Sequence, residues 1–247
     1  MIKVVLISHT PDPEALVAAA ARLCYSSDSV EKIYSRNSSE SNSKFVKMLS
    51  KLGHQSPLEH ISFTFGIEGV SRIFLAQLTR HRIASYSVQS QRYVKEVGFN
   101  FVTPPQIESC EEAKKEFEDL VNKSKLAYEK ISEILVKKQK ESEENQNCAE
   151  KLAIEDARYV LPGAIETKIV CTFNARSLLN FFSLRCCSRA QWEIRETAEK
   201  MLILVLKVAP NVFSTSGPPC VRGKCGEGKM SCGKADKISE KFNNLYL

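Results

Sequence analysis

The chain has 247 residues, of which 43% are hydrophobic, and a formal net charge of +6. That is enough apolar material for a sizeable core, and no Pro/Gly/Ser linker divides it, which argues against two separate domains. The positive balance fits an anionic ligand or a weak attraction to nucleic acid without choosing between them. The opening run from Met1 to Ser8 is too short for a signal peptide and reads as a strand, and no apolar stretch is long enough to span a bilayer. A cytoplasmic location follows as the expectation, with the nine cysteines reduced and mostly buried.

After the first strand, Thr10 to Glu14 offers N-cap and first-turn signals for a helix from Ala15 to Cys24. A second helix is expected from Ser41 to Leu52, stopped by Gly53. His54 and His60 precede a half-buried strand over 61–67, where apolar residues alternate with small or polar ones. Taken alone, a loop histidine is ordinarily a surface hydrogen-bonding group.

Ser71 then caps a helix through Thr79, a spacing that predicts Gln77, Arg80 and His81 on one face. The stretch from Arg80 to Tyr93 places three Arg, one His and three Ser in fourteen residues with no acid among them. Beyond Ala84 it reads as extended, which would aim Ser90 and Arg92 the same way, a hydroxyl beside a planar fork of donors suited to phosphate. The competing reading is a solvated basic face.

From Glu111 to about Lys151 the Lys/Glu-rich sequence carries Phe117, Leu120, Val121, Tyr128, Ile131, Ile134 and Leu135 at helical spacing. It reads as a long exposed helix broken near Asn145-Gln146-Asn147, a scaffold because its acids and bases are mixed. A helix from Ile154 stops at Pro162, and a strand follows over 167–173. Asn174 caps the next helix, whose Arg176 and Asn180 share a face. Beside its apolar residues an unpaired Arg176 or Arg185 would be costly, which implies a ligand or an acidic partner such as Glu193. A final helix is expected from Arg185 to Ala209, with Trp192, Ala198, Met201, Leu202, Val205 and Val208 as its apolar stripe. In the tail, Cys220, Cys225 and Cys232 lack the close pairs and the fourth ligand that zinc prefers, so no metal is expected there.

Several of these stretches resemble one family. Arg80-His81-Arg82 followed after seven residues by Ser90 resembles the signature of the flavin-dependent thymidylate synthases, as do Ile83-Ala84-Ser85-Tyr86 and Gln89-Ser90-Gln91-Arg92-Tyr93. His54 to His60, Arg158 to Pro162, Asn174 to Phe181, Leu184-Arg185 and Ala190 to Arg195 are similar to the same family. The resemblance implies an α/β (α+β) fold with a mostly antiparallel sheet and long helices, a single catalytic domain over 1–213 and an extension over 214–247. It implies reductive methylation of dUMP to dTMP, with FAD as cofactor, NADPH as its reductant and methylenetetrahydrofolate as carbon donor. Carried over by position, Gln77, Arg80, Val88, Gln89, Ser90, Gln91, Arg92, Arg158 and Arg185 would hold dUMP. His54, Ser56, Arg80, His81, Arg82, Val88, Asn174, Arg176 and Asn180 would hold FAD.

Arg185 matches the position proposed to stabilise an anionic pyrimidine and is the catalytic candidate; Ser90 is assigned to binding, and His60 to a structural role. The resemblance further implies a homotetramer with active sites at subunit junctions, Arg158 coming from a neighbour. This sequence departs from the family's common Asn-Glu by carrying Ser87-Val88, which removes a carboxylate that Glu59 or Glu193 would have to replace. A serine hydrolase is disfavoured because no Gly-x-Ser-x-Gly elbow or orienting Asp accompanies the serines. The remaining alternative is a basic nucleic-acid-binding protein without catalysis, but the charges are not segregated and no RNP, KH or helix-turn-helix signature is present, so neither nucleic acid nor membrane is expected as a partner.

Overall fold

The computed structural model describes residues 1–35, 39–94, 98–140 and 146–245. Strands β1 (Lys3–His9), β2 (Ser62–Ser71), β3 (Ser85–Val88) and β4 (Glu166–Asn174) form one antiparallel sheet in the order β1-β2-β4-β3. The helices are α1 (Pro13–Leu23), α2 (Val30–Ser35), α3 (Ser39–Leu52), α4 (Arg72–Leu78), α5 (Pro105–Glu108), α6 (Glu111–Lys140), α7 (Gln146–Ala157), α8 (Ala175–Arg185), α9 (Trp192–Leu206) and α10 (Ala235–Asn243). The expected α+β class therefore holds. The chain divides into two compact units, one comprising residues 1–67, 77–87 and 170–247, the other residues 68–76 and 88–169.

In the first unit the alternation read from the sequence buries Phe63, Phe65 and Ile67 from β2. Gly66 lets β1 approach, because a Cβ there would meet Val5 and Ile7 side-chain atoms at 3.1 Å. Aromatic rings then chain through the core: Phe63 to Phe213 at 5.4 Å, Phe213 to Phe182 at 5.9 Å, Phe182 to Phe181 at 5.9 Å and Phe181 to Phe173 at 5.6 Å between centroids. Each such contact adds about 0.5–1.5 kcal/mol beyond the area it buries.

The single final helix expected from Arg185 to Ala209 is instead two helices with a turn between them. α8 ends at Arg185, and α9 begins only at Trp192 because the Gln191 side chain caps it, accepting the N–H groups of Glu193 at 3.0 Å and Ile194 at 3.3 Å. Ala198, Met201, Leu202 and Val205 are buried as expected, whereas Trp192 and Val208 are half-buried.

The second unit is built on α6 and α7. Asn145 of the expected break lies outside the described residues, and α7 begins at Gln146. Tyr128 of α6 is fully buried, with its ring edge-on to Phe99 at 6.1 Å, while Phe99 meets Phe101 at 5.1 Å.

Within the first unit, the tail after residue 213 carries α10, which buries Phe242. Gly217 makes room for that ring: its φ of +129° suits only glycine, and a Cβ there would lie 2.8 Å from Phe242 Cδ1. Replacing Phe242→Ala should lower the free energy of unfolding in urea by about 3–5 kcal/mol, the usual cost of emptying a buried phenylalanine site. A loss under about 1 kcal/mol, the size of a surface substitution, would mean that α10 is not docked as described.

Candidate active site

The basic stretch follows α4. Ser71 caps that helix as expected, its hydroxyl accepting the Phe74 N–H at 3.0 Å. The helix ends at Leu78, however, so Gln77 sits in its last turn and Arg80 and His81 lie beyond it. The common helical face expected for these three residues does not form. Its physical reason is Tyr86 on β3, whose hydroxyl donates to the carbonyls of Leu78 at 3.0 Å and His81 at 2.7 Å and holds the chain in a turn. Burial, and after it Cys171, raise the Tyr86 phenol above its ordinary value, so it remains a donor.

This turn delivers His81 to the C-terminus of α8. Arg185 Nε donates to His81 Nε2 at 3.0 Å, and the imidazole stands edge-on to Phe181 at 4.9 Å. A ring nitrogen that accepts a hydrogen bond carries no proton, so His81 is neutral with its proton on Nδ1. Burial, then the Arg185 charge, lowers its pKa from 6.5 to about 4. Partial burial, then Arg80, also lowers the pKa of Arg185. Arg80 and Arg185 therefore repel, and the terminal nitrogens of Arg185 form no hydrogen bond among the described residues. An anion near them would relieve that repulsion. Arg82 is exposed in the same turn.

Val88 ends β3, and pairing continues for one residue, the Gln89 N–H donating to Lys168 O at 3.0 Å. Beyond it the chain turns, contrary to the extended reading of Ser90 and Arg92. The Ser90 hydroxyl accepts the Arg92 N–H at 3.2 Å and its carbonyl accepts the Val94 N–H at 3.1 Å, so a serine-centred turn replaces the strand and includes Gln91. Arg92 also has a protein partner that was not foreseen: its Nη2 lies 2.8 Å from Glu155 Oε2. The Glu155 carbonyl accepts from Arg158 Nε at 3.0 Å, so this residue of α7 holds two of the candidate arginines. The i,i+3 placement of Glu155 and Arg158 was the available signal. Among the described residues Arg92 Nε is buried without a partner, a donor that a ligand oxygen would satisfy.

The other candidates are more dispersed. His54 lines a cavity of about 350 Å³ with Lys51, Leu179, Thr215, Val221 and Arg222, and no other proposed FAD residue lines it. The tail residues Val221 and Arg222 carried no signal for this placement. Ser56 opens a short 3-10 turn that His60 closes, and in that turn Glu59 forms an ion pair with Arg176. The acidic partner expected for this helix is thus Glu59 for Arg176, while Glu193 is buried on α9. Asn174 caps α8 as expected, accepting the Ser177 N–H at 2.8 Å, and Asn180 is exposed on that helix. Burial raises the Cys171 thiol to about 12, which makes it a poor nucleophile.

The family of the thymidylate synthase complementing protein matches residues 5–211 of the chain. The flavin-dependent thymidylate synthase of Clostridium tetani is 53% identical over 246 residues, covering 100% of this chain and 97% of that protein. That of Geobacter sulfurreducens is 47% identical over the full length of both chains, and that of Nitratidesulfovibrio vulgaris 44% identical over 94% of each. The matched span contains the His81 and Arg185 pair and every other candidate residue described above, and the chain belongs to the flavin-dependent thymidylate synthase family.

Proposed function

We propose that this protein converts dUMP to dTMP, taking a one-carbon unit from methylenetetrahydrofolate and using FAD reduced by NADPH. The observation that carries the reading is the Arg185 guanidinium, held at 3.0 Å on a neutral imidazole with its terminal nitrogens free of hydrogen bonds among the described residues. FAD, when bound, supplies the hydride that completes the methyl group. Arg185 directs its free nitrogens at the pyrimidine carbonyl and N3, stabilises the anionic ring and so makes C5 a better nucleophile. Gln77, Arg80, Val88, Gln89, Ser90, Gln91, Arg92 and Arg158 complete the dUMP contacts, the arginines taking the phosphate. His54, Ser56, Arg80, His81, Arg82, Val88, Asn174, Arg176 and Asn180 hold FAD. The repulsion between Arg80 and Arg185 and the orphaned Arg92 Nε suit anionic ligands of this kind.

The proposed assembly is a homotetramer with active sites at subunit junctions, Arg158 reaching into a neighbour's site. The catalytic domain spans 1–213, with 214–247 as its extension. We place the enzyme in the cytoplasm; among the described residues no helix is long and apolar enough to cross a membrane.

The purified protein should show flavin absorbance bands that bleach under anaerobic NADPH, and faster with dUMP present. A colourless protein that takes up no added FAD would sink this reading. Arg185→Ala should retain the bands but lower kcat by about 10²–10³-fold, the range for removing one preorganised charge-stabilising donor; an unchanged rate would remove Arg185 from the chemistry. His81 gives a separate test in the ligand-free protein. Its folded pKa of about 4 lies below its ordinary 6.5. Between those values the unfolded chain binds a proton that the folded protein refuses, so this stabilisation is complete above pH 6.5 and is lost as pH falls toward 4. Unfolding temperatures measured across that window should fall less steeply in His81→Asn than in the wild type, and equal slopes would contradict the neutral imidazole.

A further inference from the structure

The dUMP and FAD residues leave the folate carbon donor without a binding surface of its own. A folate has parts with separate chemical needs: a reacting pterin, an aromatic aminobenzoyl linker, and a glutamyl tail whose carboxylates are negative at neutral pH. The cavity of about 350 Å³ beside His54 suits the last two. Leu58, Leu179 and Val221 give it apolar walls, and Lys51 and Arg222 are the exposed cations of its lining. Among the described residues no carboxylate lines it, and the side chains of Lys51, His54 and Arg222 form no hydrogen bond or ion pair. Local backbone structure sets this arrangement. Gly53, with φ +77°, ends α3: its N–H donates to Ser50 O at 3.4 Å and the His54 N–H to Leu49 O at 3.1 Å, a closure that puts Lys51 and His54 on one cavity. The tail contributes from a 3-10 turn over Pro219–Val221, where the Arg222 N–H donates to Pro219 O at 3.1 Å. That turn is anchored by the Phe242 ring against Gly217, and the tail as a whole by ion pairs of Glu227 with Arg189 at 2.6 Å and of Lys241 with Glu199 at 2.7 Å.

On the synthase function proposed above, we propose that Lys51 and the tail residue Arg222 bind the glutamyl carboxylates of the folate carbon donor, while Leu58, Leu179 and Val221 pack against its aminobenzoyl ring. A site with apolar walls and a few polar groups at chosen points is the ordinary form of a small-molecule pocket, and about 350 Å³ lies at the lower end of the usual size, enough for part of a ligand. Arg presents a planar fork that matches a carboxylate, and Lys adds a movable point charge, a pairing that suits several carboxylates spaced along a flexible chain. The phosphates of FAD are a poorer match. Of the residues proposed to hold FAD only His54 lines the cavity, and Arg80, Arg82 and Arg176 already bring guanidinium groups to that cofactor. His54 is common to the cavity and the FAD set, so a folate seated here lies next to the flavin.

The test is calorimetric titration of the full-length protein, loaded with FAD and dUMP, with tetrahydrofolate carrying one or four glutamyl residues; without its one-carbon unit this folate binds but does not turn over. The wild type should bind the four-glutamyl form more tightly than the one-glutamyl form. Arg222→Ala and Lys51→Ala should each weaken binding of the four-glutamyl form by about 5- to 20-fold, between the value of an exposed ion pair and that of a charge-assisted hydrogen bond, and Arg222→Lys should keep part of the affinity. Flavin absorbance of the same samples should show FAD retained in all of them. Equal affinity of the wild type for both tail lengths, or a preference for the longer tail that survives in both alanine variants, would overturn the proposal. So would loss of FAD from Arg222→Ala, which would give that guanidinium to the flavin phosphates instead. A wild type that takes up no FAD would overturn the synthase function itself, an outcome read separately from tail-length preference.

Discussion

A guanidinium that donates to an imidazole requires that imidazole to be neutral, and the candidate site is arranged around this constraint. Arg185 Nε reaches His81 Nε2 at 3.0 Å, and both burial and the Arg185 charge oppose protonation of the ring. Two features of the first unit make the pairing possible. Phe181, held in the aromatic chain from Phe63 through Phe213 and Phe182, meets the imidazole edge-on. Tyr86 fixes the backbone on both sides of the turn through the Leu78 and His81 carbonyls. Rigid aromatic packing thus sets the rotamer of a polar group, and the polar group frees the business end of Arg185. Three basic side chains in one place would ordinarily repel; here one of them is uncharged, which leaves only the Arg80 and Arg185 pair to be satisfied by an anion.

Much of the fold was legible because it rests on local rules. Alternation located β2 and β-rich composition located β4, Gly53 with φ +77° stopped α3, and the caps at Ser71 and Asn174 were readable from residue type. What was not legible depended on residues distant in sequence or on competing local hydrogen bonds. Helical continuation past Leu78 was reasonable by spacing, but two carbonyls captured by Tyr86 end it. Ser90 had strand-like neighbours, yet its hydroxyl competes for the Arg92 amide and a turn wins. Gln191, an unexceptional residue in a list of polar positions, splits the expected final helix by accepting two amides.

The second unit answers a different electrostatic problem. Arg92 and Arg158 both bring positive charge to α7, and Glu155 serves both, the first with its carboxylate and the second with its backbone carbonyl. Because Arg92 is nearly half exposed, at 43%, its ion pair contributes modestly to stability, and its value is positional. It fixes one end of the guanidinium while Nε has no partner among the described residues. A carboxylate that orients an arginine without consuming all of its donors prepares that arginine for a second oxygen ligand. Glu59 stands in the same relation to Arg176, an ion pair that is exposed and therefore easily exchanged.

Arg185 is the last residue of α8, where helical order ends, and a cation in such a place needs support from outside its own helix. His81 gives that support on one side. On the other, Cys186 is buried, and Arg189 in the turn that follows pairs with Glu227 of the tail. A tail that only covered surface would not need Phe242 in a fitted slot beside Gly217, nor ion pairs to both the α8–α9 turn and α9. Packing and charge both tie the tail to the segment that follows Arg185, and the physical role this gives the last part of the chain is to stiffen the end of α8.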